Sequence, residues 1–547
     1  MLSYRKLAMR VLGRPLHTEG IDSPRPASQR AAALVLTAAM LTTLAAPAFA
    51  DIWHIENGDI TISAGESGNN VTQNNNTTYG DTNTIITNQN KDTASSNTVT
   101  IETNDKNDTV EVTLKDVNID ASSRNNAAVS VTGSGNTTIK LDGDNALKSD
   151  IYSSGISSSG SLTISGGEND SLTAQGGSGA DGIYSSGSLT ISGGTVTANG
   201  GSSGGGDGGD GIWSSGGVTI SGGSTVTANG GDGKDDYGGD GIRSDSGDVT
   251  ISGGSTVTAN GGNGGNVSGD GIRSDSGDVT ISGGTVKAAG GDSKDGYGGD
   301  GIRSGGVVTI SGNTVNAAGG NGGKVGGYGI CSFARVAISG GTVNAAGGNG
   351  KNSNGGSDGI ISNDIDLSGS LELTAKAGRP NGKAISWAGH ELDLDTIKDK
   401  LSPGAKVTTT DADGKVNQVS VPRPVEPEEP VIPGESSSSS DGGSAAPSAP
   451  ASPLPGLTVT DKDGQRISYT NTQSGNSLTV CVGRLTASLR ASLATLRQLR
   501  AEGIDTITFQ TILCSTTLSV DELLAMGGED AEAVLTHRFT DSSLTVG

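Results

Sequence analysis

The sequence predicts an all-β protein, a right-handed parallel β-helix solenoid with a small α+β domain near its C-terminal end. Three observations favour this fold class. A Gly-Ile step recurs every 27–30 residues, each repeat contains three short β segments, and glycine supplies 91 of 547 residues without collagen's period. Repeats of short β segments and turns are typical of stacked solenoids. The repeated isoleucines are Ile156, Ile183, Ile212, Ile242, Ile272, Ile302, Ile330 and Ile360.

Residues 1–50 are predicted to form a signal peptide. A basic lead precedes the apolar run 31–46, and Ala-Phe-Ala at 48–50 resembles a cleavage site. An uncleaved anchor is the alternative, although the run is shorter than the ~20 residues that a membrane-spanning helix needs. We therefore expect a chain that is secreted or displayed on a bacterial cell surface, with no membrane span after Asp51.

The charge balance narrows the class of partner. The chain has 59 acidic and 36 basic residues, of which two and six stand in the first 50. The exported remainder therefore carries 57 acidic and 30 basic residues. Nucleic acid is excluded as a partner, because its phosphates require basic surfaces. Cations, or sugars bound through cations, suit this charge better.

Residues 51–153 are predicted to form irregular first coils and a cap, and 154–421 the β-helix repeats. Alternating apolar and polar residues mark half-buried strands. Paired glycines, such as 193–194 and 230–231, are expected to supply positive-φ corners. The residues beyond a minimal coil fall in a variable Gly-rich loop, for example 230–239.

Alternation also predicts which side chains point inward along the repeats. The inward columns are Ile183, Ile212, Ile242, Ile272 and Ile302; Leu189, Val218, Val249 and Val279; Ile191, Ile220, Ile251 and Ile281; Val196, Val226, Val257 and Val286; and Ala198, Ala228, Ala259 and Ala288.

Residues 422–456 are rich in Pro, Glu and Ser and are predicted to form a disordered linker. Residues 457–547 are predicted to form the small α+β domain, with a helix over 484–500 and a second helix after Ser519. Cys481 and Cys514 lie in adjacent predicted strands of this domain. Export permits disulfides, so these two cysteines are the favoured pair and Cys331 is left free.

A column of aspartates precedes the Gly-Ile step. Stacked carboxylates about 5 Å apart repel one another, so something must offset the repulsion. Calcium, which prefers carboxylate and carbonyl oxygens, is one answer and is the only cofactor we predict. The alternative is that each carboxylate accepts backbone N–H bonds within its own turn. The candidate metal ligands are Asp181, Asp210, Asp240, Asp270, Asp300 and Asp358.

A second column follows the isoleucine and is predicted to point outward. Its aromatic members offer flat faces to sugar rings, and its arginines offer planar forks to carboxylates. Alternatively, the arginines pair with the nearby Asp245, Asp248, Asp275 and Asp278. The candidate ligand-binding residues are Tyr184, Trp213, Arg243, Arg273 and Arg303.

We do not expect an enzyme. Active sites are single points, whereas the candidate acids here recur coil after coil, and His54, His390 and His537 share no motif. No catalytic residues are therefore assigned.

The GDGI…VTISGG…TVTA unit of residues 150–380 resembles the carbohydrate-binding β-helix proteins of clostridial and gut bacterial surfaces. Those proteins share the pectate-lyase superfold without its catalytic residues. The resemblance implies a right-handed parallel β-helix, calcium bound by the repeated aspartates, and affinity for acidic plant polysaccharide. The chain departs from that family's pattern, because a single Asp stands where a doubled acid is frequent, and Tyr, Trp or Arg stands where His is frequent.

The leading hypothesis is a non-catalytic, adhesin-like β-helix that binds acidic polysaccharide, with calcium as a mediator. Its partners would be extracellular polysaccharide or a glycan of a host or cell surface, and we expect a monomer. The first alternative is a structural spacer or adhesin stalk without a sugar site. The second is a polysaccharide lyase or hydrolase.

Overall fold

The computed structural model describes residues 51–422 and most of 457–546. Within the latter range it leaves out 462–464, 468, 475, 483, 485, 502, 512–514, 527–531 and 539–540. The predicted signal peptide and nearly all of the predicted linker lie outside the described residues. The chain divides into two compact units, Met1–Val425 and Glu426–Gly547.

The first unit is a parallel β-helix, as predicted. Three series of strands stack in register, and each series forms one wall of the solenoid. We name them the Gly-Ile wall, the Thr-Ile wall and the Thr-Val wall after their repeated residues. Parallel pairing between coils buries both the ladder hydrogen bonds and the inward side chains.

The Gly-Ile wall begins each regular coil. Its strands are Ile60–Gly65, Val99–Thr103, Val129–Gly133, Ile156–Ser158, Ile183–Ser185, Ile212–Ser214, Ile242–Ser244, Ile272–Ser274, Ile302–Ser304 and Ile385–Trp387. The Thr-Ile wall follows. Its strands are Ile52–His54, Thr84–Thr87, Thr109–Lys115, Asn136–Asp142, Ser161–Ser165, Leu189–Ser192, Val218–Ser221, Val249–Ser252, Val279–Ser282 and Val308–Ser311.

Two long strands, Ile330–Ile338 and Ile360–Leu367, run through both of these walls. The Thr-Val wall is a separate sheet of 12 strands. Its strands are Asn118–Asp120, Asp144–Lys148, Ser171–Gln175, Thr195–Asn199, Thr225–Asn229, Thr256–Asn260, Thr285–Ala289, Asn313–Ala318, Gly341–Ala346, Leu371–Lys376, Lys406–Thr410 and Val416–Ser420.

Antiparallel strands close both ends of the solenoid. The hairpin Gly68–Gln73 and Asn76–Asp81 pairs with the first coil. At the other end Val416–Ser420 pairs antiparallel with Lys406–Thr410, and His390–Glu391 pairs with Ile385–Trp387. Two 3-10 helices, Ile55–Asn57 and Leu394–Lys400, lie beside these ends. Such ends protect the terminal coils from pairing with other chains.

The predicted inward columns are confirmed. Every isoleucine of the Gly-Ile wall from Ile183 to Ile302 is fully buried, and the valine and alanine columns of the Thr-Val wall are at most 1% exposed. A single continuous core runs from Ile55 to Val419. The low aliphatic content suffices because each coil needs only a thin line of apolar side chains.

The prediction for the glycine corners is right at one position and wrong at another. Gly193 and Gly194 have φ of 83° and 73°, as a left-handed corner requires. Gly230 and Gly231 are not among the residues with positive φ. They are required for close packing, since a Cβ on Gly231 would lie 2.3 Å from the carbonyl oxygen of Gly201.

In the part that the structure describes, the second unit contains two four-stranded sheets and two helices. One sheet has Leu457–Thr460, Thr486–Ser492, Glu532–Arg538 and Asp541–Val546. The other has Thr470–Ser474, Ser477–Cys481, Thr506–Gln510 and Ser515–Ser519. The helices are Leu493–Ala501 and Val520–Met526.

The helix predicted over 484–500 is wrong in its first half. Thr486–Ser492 is a strand, because Ala487, Leu489 and Ala491 alternate inward with a period of two. Cys481 has no disulfide partner among the described residues, and its Sγ lies 3.5 Å from Gln510 Oε1. Cys514 lies outside the described residues, so its pairing stays a prediction.

Candidate functional site

The column that follows the repeated isoleucine forms one continuous outward row. Tyr184, Trp213, Arg243, Arg273 and Arg303 are partners in successive parallel pairs. All five side chains are half-buried. The sequence prediction therefore identified residues that the fold brings together, although none of them stands free in solvent.

The first three members of the row contact one another. The rings of Tyr184 and Trp213 meet edge to face, with centroids 5.0 Å apart. The guanidinium carbon of Arg243 lies 5.2 Å from the centroid of the Trp213 ring, a cation–π distance. Trp213 Nε1 also donates to Asp245 Oδ2 at 3.0 Å. These contacts hold the indole in one orientation.

The arginines of the row are paired with carboxylates, as the alternative prediction held. Arg243 Nε donates to Asp245 Oδ1 at 2.9 Å, and its Nη2 donates to Asp275 Oδ2 at 3.2 Å. Arg273 Nε donates to Asp275 Oδ1 at 2.6 Å. The other two predicted partners, Asp248 and Asp278, instead accept backbone N–H bonds from the next coil.

The aspartates before the Gly-Ile step form a buried row that we call the Asp ladder: Asp181, Asp210, Asp240, Asp270 and Asp300. Each is 5–9% exposed. Each Oδ1 accepts a backbone N–H from the following coil, not from its own turn as the alternative held. The donors are Asp210, Asp240, Asp270, Asp300 and Tyr328, at 2.8, 2.5, 2.6, 2.6 and 2.7 Å respectively.

Burial raises the pKa of every carboxyl group in the Asp ladder. The pKa is about 6 for Asp181 and Asp300 and about 7 for Asp240 and Asp270. The pKa of Asp210 also lies well above its usual range, because burial is reinforced by the neighbouring Asp240 and Asp181 carboxylates. The backbone donors and nearby arginines oppose this rise only in part.

The sixth predicted metal ligand, Asp358, occupies a different setting. It is half-buried, and its Oδ1 accepts the backbone N–H of Lys383 at 2.6 Å. Burial also raises its pKa. Among the described residues there is no cluster of three or more His, Cys, Asp or Glu side chains placed to hold one metal ion. Calcium binding stays a prediction.

The Gly-rich loops stack as regularly as the strands. Tyr237 pairs with Val267, Val267 with Tyr297, and Tyr297 with Val325 in parallel bridges. Gly239 donates to the carbonyl oxygen of Gly231 within one coil at 2.9 Å. Its own oxygen accepts from Gly262 of the next coil at 2.8 Å. These glycine contacts bring together the two ends of each loop, which we call its neck, and fix the position of each loop relative to the next coil.

The stacked loops and the outward row enclose a cavity of about 360 Å³, which we call the loop groove. Trp213, Arg243 and Arg273 line one side, and Tyr237 and Val267 of the loops line the other. Carboxylates of the Asp ladder, those of Asp181, Asp210 and Asp240, also line it. On the loop side Tyr237 is 52% exposed; Tyr297, one coil beyond the lining, is 48% exposed, and Lys324 Nζ lies 5.7 Å from its ring centroid.

The outward row changes character beyond Arg303. Cys331, its next member, is 5% exposed, and burial raises the pKa of its thiol to about 12. The prediction that the whole column points outward is therefore wrong at this position. Arg303 instead lies over the ring of Phe333, with its guanidinium carbon 5.2 Å from the ring centroid.

Sequence reasoning missed Tyr237 and Tyr297, because the Gly-rich loop was read as variable. A signal was present in the repeated Tyr-Gly-Gly-Asp at 237–240 and 297–300. Such a recurrence two repeats apart indicates a fixed position in each coil.

Comparison with known proteins supports the repeat architecture. A family model described as a beta helix repeat matches residues 189–212, 218–242 and 279–302. No match is found among curated proteins or among solved structures. The matched segments lie in the solenoid, so the chain contains beta-helix repeats of this kind. None of the helices in its described portion has the length and apolar character needed to cross a bilayer.

Proposed function

We propose that this protein is a secreted or surface-displayed β-helix that binds carbohydrate in the loop groove without catalysing a reaction. The observation that carries the proposal is the composition of this groove. The aromatic rings of Trp213 and Tyr237 line it together with arginine N–H groups and carboxylate oxygens. Sugars require this combination, because a pyranose ring has an apolar face and a rim of hydroxyl groups.

The rigidity of the groove favours binding. Trp213 is held by a hydrogen bond and by contacts with Tyr184 and Arg243, so little side-chain entropy is lost when a ligand stacks on it. The loop side is fixed by inter-coil backbone bonds. Preorganisation of this kind raises affinity without additional contacts.

The engagement of the acids favours a non-catalytic role. Each carboxylate of the Asp ladder accepts a backbone N–H, and the same arrangement recurs in successive coils. A general acid and base pair needs two carboxyl groups in distinct settings across one bond. The repeated, equivalent settings of this row suit positioning of hydroxyl groups better than proton transfer.

A glycan array tests the proposal on the exported chain, beginning at Asp51, in calcium and again in chelator. We expect binding to at least one glycan class, and at least about tenfold weaker binding for Trp213→Ala, equivalent to about 1.4 kcal/mol. Trp213→Phe retains an aromatic face and should bind closer to the parent. Thr227→Ala, on the Thr-Val wall, is the matched control and should bind like the parent.

The array also separates the rival functions. No binding to any glycan in either condition would reject carbohydrate binding and favour a structural spacer. Binding of polygalacturonate that is lost in chelator would support the calcium-mediated form, for which the excess of carboxylates is the favouring observation. Release of shortened oligosaccharides from a bound polymer would contradict a non-catalytic role.

A further inference from the structure

At the loop groove, one hydrogen-bond donor, Arg273, lies near two acceptors of the Asp ladder, Asp240 and Asp270. Arg273 Nη1 lies 3.8 Å from Asp240 Oδ2 and 4.0 Å from Asp270 Oδ2. These separations exceed hydrogen-bond length, so both partners can bond to a third group. A neutral hydroxyl group is both donor and acceptor and can satisfy both at once. A ligand carboxylate only accepts.

The charge balance of the arginines in the loop groove also disfavours an acidic ligand. Arg243 and Arg273 are each bonded to aspartates outside the Asp ladder, Asp245 and Asp275. Both positive charges are thus already balanced by carboxylates, so neither arginine offers an unpaired cation to a uronate.

The residues on the loop side of the groove also recur at regular positions. Tyr237 and Tyr297 belong to one column and stand two coils apart, with Val267 between them. Two coils correspond to about 9.6 Å, twice the spacing between neighbouring strands. In an extended, equatorially linked pyranose chain, each ring advances by close to one such spacing, and alternate rings present the same face.

We propose that the loop groove binds a neutral, equatorially linked pyranose chain that lies along the solenoid axis with one ring for each coil. Alternate rings stack on Tyr237, which lines the groove, and on Tyr297, which stands one coil beyond the lining, and the ring between them faces Val267. Hydroxyl groups bridge Arg273 and the Asp ladder on the opposite side. This inference rests on the proposed carbohydrate function and specifies the ligand class and its orientation.

The length of the groove also predicts how many sugar rings it can bind. Its lining includes Asp181, Asp210, Asp240 and Arg273, which belong to four successive coils. At one ring for each coil, and with Tyr297 in the fifth coil, affinity should rise with chain length up to five rings and then level off.

Isothermal titration calorimetry on the exported chain tests the inference with cello-, xylo- and chito-oligosaccharides from two to six rings. Maltohexaose, which is axially linked, and hexagalacturonate, which is charged, are the comparison ligands. We expect one equatorially linked series to bind, with affinity rising to five rings. Tyr237→Ala and Tyr297→Ala should each weaken binding about tenfold. Tyr237→Phe should retain it, and Tyr79→Ala, an exposed tyrosine of the N-terminal hairpin, should have no effect.

The outcomes separate this inference from the proposed function. Tighter binding of maltohexaose or hexagalacturonate than of every equatorially linked chain would overturn the inference and leave carbohydrate binding intact. Unchanged affinity in both Tyr→Ala variants would likewise overturn it. The absence of binding to all five ligands would overturn the inference, and the array decides whether carbohydrate binding fails with it.

Discussion

The coils of residues 51–153 and those of 154–378 share a core but differ in the polar contacts that join neighbouring coils. In the first region, exposed ion pairs cross from coil to coil. Lys140 Nζ lies 2.6 Å from Glu111 Oε1, and Lys148 Nζ lies 3.0 Å from Asp120 Oδ2. In the second region, the buried Asp ladder makes the same crossing through backbone N–H groups.

The two regions also differ in the residues that take the left-handed conformation at the corners between strands. Asp116 and Asn125 have φ of 49° and 54° in the first region, where polar residues tolerate the left-handed conformation. In the second region only glycine takes such positions, as at Gly222 and Gly253, whereas in the first glycine takes only some of them, as at Gly143. The Gly-rich loops that stack through parallel bridges belong to the second region. One scaffold therefore supports both regions, and the loops of the second region line the loop groove.

The largest expected effect is on the pH dependence of stability. The Asp ladder binds protons more tightly in the folded than in the unfolded protein. Its stabilisation is therefore fully present below the unfolded pKa of about 4, and is lost as the pH rises through about 6 for Asp181 and about 7 for Asp240.

We expect the free energy of unfolding of the β-helix to be lower at pH 8 than at pH 5 by about 5 kcal/mol. Thermal melts across this range measure the difference. In the double variant Asp240→Asn, Asp270→Asn the dependence should shrink. A melting temperature that rises from pH 5 to pH 8 would contradict the burial of charge in the ladder.

The next effect concerns the neck of the loop. A Cβ on Gly239 would lie 2.0 Å from the carbonyl oxygen of Gly209, so Gly239→Ala forces backbone movement. We expect a loss of about 3 kcal/mol, measured by chemical denaturation. Gly205→Ala is the matched control, because nothing lies within 4 Å of its Cβ position. Equal stability of the two variants would show that the neck is not close-packed.

A smaller effect on stability is expected when one carboxylate of the Asp ladder is removed. Asp240→Ala leaves the buried N–H of Asp270 without its acceptor, at a cost of about 2 kcal/mol. Asp240→Asn keeps an oxygen acceptor and should be nearly neutral at pH 5. Denaturation midpoints of the two variants provide the comparison. If the Ala variant proves as stable as the Asn variant, the inter-coil bond contributes nothing.

The smallest effect is expected in the first region. Lys140→Ala removes an exposed ion pair with Glu111, and such pairs contribute about 0.5 kcal/mol or less. Its denaturation midpoint should lie close to that of the parent. A loss comparable to that of Asp240→Ala would remove the distinction between surface and buried contacts on which the comparison depends.

The repeating unit predicts the scaffold because inward and outward alternation is local to each strand. Ile242 and Val249 could thus be assigned to the core, and Trp213 and Arg243 to one outward row. The direction of the Asp240 side chain could not be predicted, because it depends on the distance to the next coil. The position of each loop relative to the neighbouring coils could not be predicted either, because it depends on contacts that Gly231 and Gly239 make between coils.

The most direct test asks whether a glycan contacts Trp213. The chain has three tryptophans, Trp53, Trp213 and Trp387. In the variant Trp53→Phe, Trp387→Phe, the fluorescence of Trp213 can be followed alone while a glycan selected by the array is titrated. We expect a saturable change whose midpoint equals the calorimetric dissociation constant. Calorimetric binding without any change in Trp213 fluorescence would place the ligand elsewhere and contradict a binding site in the loop groove.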